Sequence, residues 1–500
     1  MRLSRNLLAG LAASAITVLV GLLATPFHLH FLGLERYGLI AFFLTVQAML
    51  GMLDMGLSPT MNREVARGMA QADLAPARNL LHSLGLLYAL VAAAMAVAIV
   101  AAAPWLAQDW LRAQQADLAE LTSAMAWMGL AVGFRWPAGL YLGAVNGGQR
   151  LALSSSLTAA YTVSSGAGSV LVLWLVSPRL EAFFAWQALT SLAYATAMHK
   201  AAWRVLGGRA GARAGWSELR RVWRFSAGMG LIAVTSVIFT QIDKVLLSSL
   251  LDLDAFARYT LAAFVAAGIY ALVTPVFNAL YPRFSALVAV GADDELAKLY
   301  GLATQTLATL VFPVALLLGF YARPLVELWI QNATIAGQVA PIIALLCAGS
   351  ALHAVMYVPY ALQLASGLPG LSMRINLVMI VLMVPLTIAL TISHGEMGAA
   401  SAWFVLHVFY VGYGTWATHR RLLPGRALAW LARDVGLPLL LTLAVGAVAY
   451  AGGAKSVHSL PALLGGAIAM WASAVTLALG VSPSLRAAVR PHLPFLVQTH

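Results

Sequence analysis

The sequence predicts an all-α polytopic membrane protein. It has about fourteen transmembrane helices, read as two six-helix lobes related by a parallel repeat plus two C-terminal helices. Three observations predict this. Of 500 residues, 61% are hydrophobic and 10% charged, and mean hydropathy is +0.84, whereas a soluble domain carries roughly 25% charged residues. The apolar residues form continuous runs of about 20, the length that crosses a hydrocarbon core of about 30 Å. Lysine and arginine alternate between the two membrane sides with a strong bias.

These observations exclude most classes. Eighteen acids and 30 bases cannot supply a water-facing surface for 52.8 kDa. Soluble enzymes, nucleic-acid binders and disordered chains are ruled out despite a net charge of +12. One cysteine, Cys347, allows no disulfide framework and no cysteine metal site. The 42 glycines suit close helix packing in lipid. An outer-membrane barrel would alternate in strands of about 10 residues, and these runs do not.

The helices follow in order. Arg2 and Arg5 precede an apolar stretch over 7–32, too long for the core of a signal peptide, so this is the first span. The fourteen spans centre on Val18, Gln47, Val91, Gly133, Gly166, Leu192, Val237, Ala271, Leu310, Gly349, Val381, Phe404, Thr442 and Ile468. Charges, Pro or Gly mark the breaks, as at 62–78 and 419–433. Only a short loop with Gly452 and Gly453 parts the last two. With the N-terminus cytoplasmic, 22 bases fall inside and six outside: Arg36, Arg112, Arg179, Arg258, Arg323 and Lys455. Arg135 and Lys244 fall within spans. Both termini are then cytoplasmic, and the basic stretch 204–224 is a positive-inside anchor beside anionic lipid, with no nucleic-acid role.

The chain also repeats itself at an offset of 222 residues. Arg36-Tyr37-Gly38-Leu39-Ile40-Ala41-Phe42 aligns with Arg258-Tyr259-Thr260-Leu261-Ala262-Ala263-Phe264, with five identities. Each segment opens the second helix of a half. The expected organisation is a first lobe over 1–203, a basic linker over 204–224 and a second lobe over 225–417. A basic loop over 418–433, two extra helices over 434–480 and a cytoplasmic tail over 481–500 complete it. Transporters built from parallel repeats bind substrate between lobes and alternate access by rocking.

Catalytic chemistry is missing from the pattern. There is no P-loop and no metalloprotease spacing of histidines. Asp252-Leu253-Asp254 and His394-Gly395-Glu396 read as polar turns in short outer loops, not metal sites. A non-enzyme without cofactor or metal is expected.

Ionisable groups inside a membrane are costly and point to function. Arg135 lies mid-span in Gly133-Phe134-Arg135-Trp136-Pro137, where a guanidinium suits phosphate oxygens. Its structural alternative is bonding to carbonyls freed by Pro137. Asp243 and Lys244, adjacent in sequence, are expected to point apart rather than pair. Asp54 ends the second span, either as a proton or base partner or as a helix-end anchor. His28 and His30 sit at the outer end of the first span, where histidine can titrate near neutral pH or remain passive. His353 and His407 are each expected alone on an apolar face. Trp136, Tyr141 and Tyr161 could stack on sugars or simply pack.

At this point a family resemblance appears. Gly33-Leu34-Glu35-Arg36-Tyr37-Gly38, Leu53-Asp54-Met55-Gly56-Leu57 and Asn62-Arg63-Glu64-Val65-Ala66-Arg67 resemble the polysaccharide-exporter and O-antigen flippase branch of the multidrug/oligosaccharidyl-lipid/polysaccharide (MOP) exporter superfamily. Gln241-Ile242-Asp243-Lys244-Val245-Leu246-Leu247, followed by Arg258-Tyr259, is similar to that branch's opening of the second lobe. The resemblance covers about 1–420. It implies a bacterial inner-membrane flippase for lipopolysaccharide or other surface polysaccharide. The implied substrate is a polyprenyl-diphosphate-linked oligosaccharide, moved from the cytoplasmic to the outer leaflet. Membrane lipids, a proton or sodium gradient and polysaccharide polymerase machinery are the implied partners. On this reading Arg135 and Lys244 line a cationic cavity, one in each lobe, while Asp54 and Asp243 tune charge or couple protons, with His28 and His30 secondary. A drug/cation antiporter of the same superfamily is the alternative, although the first span carries no acid. A peptidoglycan-precursor flippase is a closer one, although that form has more bases in its first lobe. A glycan polymerase or ligase is disfavoured by the short outer loops.

Overall fold

The computed structural model describes residues 2–111, 113–114, 117–453 and 460–489, and every regular element in them is helical. Arg112, Lys455, Arg490 and the expected tail beyond 489 lie outside the described residues. The chain forms two compact units, Met1–Ala257 and Arg258–His500.

The first unit contains α1 (Arg2–Leu50), α2 (Leu57–Gln71), α3 (Ala75–Trp105), α4 (Leu118–Arg135), α5 (Ala138–Gly147), α6 (Leu151–Leu175), α7 (Leu180–Val205) and α8 (Trp216–Leu250). A straight helix of α1's 49 residues would run about 74 Å, over twice a hydrocarbon core. It is broken at Gly33, whose φ of 80° an L-residue rarely adopts. The break falls before Arg36, where the sequence separates the first two spans. The second of these helices ends in a 3₁₀ turn at Gly51–Asp54, and left-handed Met55 and Gly56 then restart it as α2. Pro137 separates α4 from α5, because it has no N–H to continue the ladder.

Packing in this unit relies on small residues. Gly143 and Gly147, one turn apart on α5, lie against the α2 backbone. A Cβ on either would sit 2.4 Å from a carbonyl oxygen, of Ser58 and Asn62 respectively. This is small-xxx-small contact, which brings backbones close where lipid offers no hydrophobic drive to associate. Met61, Val65, Leu80, Leu84, Tyr88, Leu140 and Ala144 fill the core around it. The unit also includes α8, the helix that the repeat assigns to the opening of the second lobe.

The second unit holds α9 (Leu253–Ala267, whose first turn lies before the boundary), α10 (Tyr270–Ala289), α11 (Asp293–Phe320), α12 (Ala322–Ile330), α13 (Ala333–Val355), α14 (Tyr357–Ala365), α15 (Pro369–Leu422) and the short α16 (Ala427–Ala429). A π-helical segment at Trp430–Gly436 leads into α17 (Leu437–Ala451), followed by α18 (Leu460–Val481) and α19 (Pro483–Val489). α15, with 54 residues, is two helices joined at His394 and Gly395, whose φ is 58°. The last two apolar helices pack on α11, with Leu463 and Met470 closing over buried Tyr321.

Each of the fourteen expected span centres lies on a helix. Among the described residues, eight helices are long and apolar enough to cross a membrane, or nine if α9 and α10, bent by 41°, form one span. Two of the eight, Ala12–Asp54 and Pro369–Leu422, contain the breaks at Gly33 and Gly395 and so hold two expected spans each. α4 and α7 fall short because polar residues such as Glu120, Arg135, Gln187 and His199 dilute their hydropathy. The same groups make these helices candidates for lining a site.

Candidate functional site

Arg135 is the last residue of α4, immediately before the Pro137 break. Its half-buried guanidinium packs over two tyrosines, 4.7 Å from the Tyr161 ring on α6 and 4.6 Å from the Tyr194 ring on α7. The two rings lie 4.7 Å apart, and the Tyr194 hydroxyl is 3.0 Å from Thr158 Oγ1, which fixes its orientation. Each cation–π contact is worth about 0.5–2 kcal/mol, depending on desolvation. Among the described residues Arg135 makes no ion pair and no hydrogen bond to a carbonyl. Tyrosine faces hold the guanidinium without using its N–H donors. They leave those donors for an incoming anion, preferably one with several oxygens in a plane, such as phosphate.

Asp54 has an aromatic neighbourhood of its own, with partners that the sequence does not single out. Its carboxylate accepts hydrogen bonds from Tyr88 and Ser58 hydroxyls and from the Ser58 amide near the start of α2. Tyr88 in turn stacks on Trp136, at 4.3 Å and 21°. Trp136 donates its indole N–H to Leu50 O at 3.0 Å. Asp54, Tyr88 and Trp136 thus form one connected group, and Trp136 directly follows Arg135 in the chain. Asp54 makes no ion pair among the described residues. A phenol on an apolar helix needs a hydrogen-bond partner, and that is the only sequence signal at Tyr88. Tyr88→Phe is expected to leave the fold intact and lower stability by about 1–3 kcal/mol, because the carboxylate loses a buried donor. Thermal unfolding of the purified variant checks this.

Asp243 and Lys244 correct an expectation. They do not point apart: Lys244 Nζ lies 3.3 Å from Asp243 Oδ1 and donates to Thr240 O at 3.1 Å. Asp243 is only 4% exposed. A buried carboxylate requires a cation, and the flexible four-carbon lysine stem can turn back to supply one even from the adjacent position. Lys244 is therefore partly neutralised in a way Arg135 is not. Both belong to the first compact unit.

His28 is buried, 2.9 Å from Ser169 Oγ and edge-on to Phe183, while His30 is exposed beside Phe31. In the second unit, His353 and His407 are not isolated. Their rings lie 4.9 Å apart, Tyr270 hydroxyl is 2.7 Å from His353 Nδ1, and His407 Nδ1 donates to Trp403 O at 2.7 Å. Tyr357 and Tyr410 pack on His353 as well. The two histidines come from different helices, so linear spacing could not reveal the cluster.

The repeat arginines share a structural role. Arg36 Nε and Nη2 grip Glu120 at 2.9 and 2.8 Å, and Arg258 holds Glu396 at 2.8 Å. Glu396, read from the sequence as part of a polar turn, is thus an ion-pair partner. Asp252 caps α9 by accepting the Ala255 amide at 2.7 Å. A double-mutant cycle on Arg258→Gln and Glu396→Gln is expected to give a coupling of about 0.5–3 kcal/mol by thermal unfolding, as residues in contact do. Additive effects would remove the pair as a fastening of the second unit.

A protein-family model for polysaccharide biosynthesis proteins matches residues 3–288. No curated protein matches the sequence. Among solved structures, the fold is similar to the lipid II flippase MurJ in an inward closed conformation, with a TM-score of 0.70 and 12% identity over 97% of this chain and 99% of that one. It is also similar to an inward-facing multidrug resistance MATE family transporter of the MOP superfamily, with a TM-score of 0.63 and 13% identity over 81% and 95%. A Vibrio cholerae MATE transporter follows, at 0.59 and 12% over 85% and 98%.

Proposed function

Because the chain belongs to the polysaccharide biosynthesis protein family, and has the fold of MOP-superfamily transporters, we propose that it flips a polyprenyl-diphosphate-linked oligosaccharide. The direction is from the cytoplasmic to the periplasmic leaflet of a bacterial inner membrane, for O-antigen, capsule or exopolysaccharide assembly. The observation that carries this is Arg135. A guanidinium within the helical bundle, seated on Tyr161 and Tyr194 and unpaired with any acid among the described residues, is suited to a diphosphate. Tyrosine faces beside it suit the apolar faces of sugar rings.

In this mechanism the two six-helix lobes rock to alternate access and both termini are cytoplasmic. Asp54 is the coupling group. Its carboxylate receives two hydroxyl donors, and gain or loss of a proton there would rearrange Tyr88 against Trp136, next to Arg135. Lys244, tied to Asp243, plays the lesser part.

Two related readings compete. A drug antiporter would concentrate acids, yet the charge seated on Tyr161 and Tyr194 is a cation. A peptidoglycan-precursor flippase draws support from the similarity to MurJ, which extends over 97% of this chain, against 81% for the MATE transporter. Lipid analysis of a deletion strain separates the three. The proposal expects accumulation of complete lipid-linked repeat units and loss of surface polysaccharide. Accumulated peptidoglycan precursor, or unchanged lipids with sensitivity to cationic drugs, would replace it.

A further inference from the structure

We infer that the second unit carries a separate binding site for a phosphate-bearing anion, independent of the transport reading. A cavity of about 470 Å³ opens between α11, the end of α15, the π-helical segment and α19. Three cations line it: Lys298, Arg426 and Arg433. Against them stands one carboxylate, Asp434, already held by Gln305 Nε2 at 2.6 Å. Lys298 and Arg433 are exposed and make no ion pair among the described residues, and Arg426 reaches only the exposed Asp294 at 3.8 Å. Three cations converging on one concave wall repel one another, and a bound anion removes that cost.

The wall carries a second, independent sign of a missing partner. Tyr300 is 2% exposed, and its hydroxyl has no hydrogen-bond partner. His419 is 1% exposed; its Nδ1 donates to Thr415 O at 2.9 Å, and its Nε2 is likewise unpartnered. The two rings meet edge-on at 5.5 Å, and Trp430 closes over both. Each buried polar atom left unpaired costs about 1–3 kcal/mol. The Tyr300 hydroxyl is a donor in the wall of a cavity lined by three cations and so fits an anion, whereas His419 Nε2, with Nδ1 donating to Thr415 O, is an acceptor and takes no part in holding it.

The shared chemistry is a phosphate with at least one negative charge, from an anionic lipid headgroup or from a soluble phosphate. The site ties α11 to the segment that starts α17, where Trp430 Nε1 donates to Thr304 Oγ1 at 2.9 Å and Gln305 bonds Asp434. An occupant would therefore clamp the two extra helices to the rest of the unit.

The test uses the full chain in neutral detergent. Native mass spectrometry titrates phosphatidylglycerol and, separately, phosphatidylcholine, and calorimetry titrates inorganic phosphate. The variants are Lys298→Gln with Arg433→Gln, Lys298→Arg with Arg433→Lys, and Arg374→Gln as an exposed control outside the cavity. Selective phosphatidylglycerol binding, weakened at least about tenfold by the double Gln variant, a loss of about 1.4 kcal/mol, would support the site with a lipid source. It should be retained in the Arg/Lys exchange and in the control. Phosphate binding with the same variant pattern, but no lipid preference, would support it with a soluble source. Equal binding of both lipids together with no phosphate binding, or unchanged binding by the double Gln variant, would overturn it. Surface polysaccharide in cells carrying these variants reports the transport reading separately.

Discussion

Replacing Arg135 by alanine is expected to abolish surface polysaccharide in a complemented deletion strain and to leave lipid-linked oligosaccharide accumulated in the membrane. The loss should be about 30-fold or more. Truncating one member of a buried, charge-assisted contact costs about 2–5 kcal/mol, and each 1.4 kcal/mol is tenfold. Arg135→Lys should recover only part of the activity. An ammonium keeps the charge but loses the planar fork of donors and the stacking on Tyr161 and Tyr194. Protein level must stay within about twofold of wild type for the comparison to count. It should, because the described residues give Arg135 no ion pair to break. The order wild type, Lys, Ala is the signature of phosphate recognition. Equal loss in Lys and Ala would mean that stacking on the tyrosines, rather than charge, is what matters.

The largest expected effect on stability comes from Gly147→Val. Its new Cβ would sit 2.4 Å from Asn62 O and 2.8 Å from Val65 Cβ, both on α2. Neither can move without separating α5 from α2, and the β-branched side chain adds two further carbons. Overpacking a close-packed core costs about 1–3 kcal/mol and occasionally more. This contact is backbone to backbone, so the upper end is expected, with a clear fall in melting temperature and membrane yield. Gly412→Ala, where a Cβ would meet nothing within 4 Å, is the control and should be neutral or slightly stabilising. A Gly147→Val protein as stable as wild type would mean that the α2–α5 contact does not hold the first unit together.

Composition and run length made the helices legible, and Gly33 and Gly395 lie where the sequence parts two spans, whereas Pro137 and Arg135, read as mid-span, stand at the end of α4. Those signals are local: hydropathy fixes a span, and glycine or proline ends a hydrogen-bond ladder. The site was legible only as a list of costly residues. Arg135 stood out because its charge is expensive in lipid, but its seat on Tyr161 and Tyr194 depends on which faces of α4, α6 and α7 meet. The same holds for Tyr88 beneath Asp54 and for His353 against His407. The Asp243–Lys244 pair was misread for a different reason. Helical spacing describes where Cβ atoms point, and a lysine stem is long enough to override it. Glu120 and Glu396 were invisible as partners of Arg36 and Arg258 because each lies far along the chain from its arginine.

Asp54, bonded to Tyr88 beneath Trp136, is the group to test for coupling apart from recognition. Asp54→Asn keeps the hydrogen-bonding shape and removes the titratable proton. It is expected to retain binding of lipid-linked oligosaccharide within about threefold while losing gradient-driven turnover. Binding by native mass spectrometry and turnover in vesicles measure the two separately. Loss of both would make Asp54 a structural cap for α2, as its bond to the Ser58 amide also allows.

The most direct measurement is reconstituted flipping. Purified protein is placed in proteoliposomes with a fluorescent polyprenyl-diphosphate oligosaccharide, and leaflet exposure is followed by a glycan-specific quencher. Wild type should equilibrate the lipid across the bilayer with a rate that depends on an imposed proton or sodium gradient. Arg135→Ala should stay at the protein-free rate. An Arg135→Ala protein that flips the lipid as fast as wild type, or a wild type no faster than empty liposomes, would contradict the account.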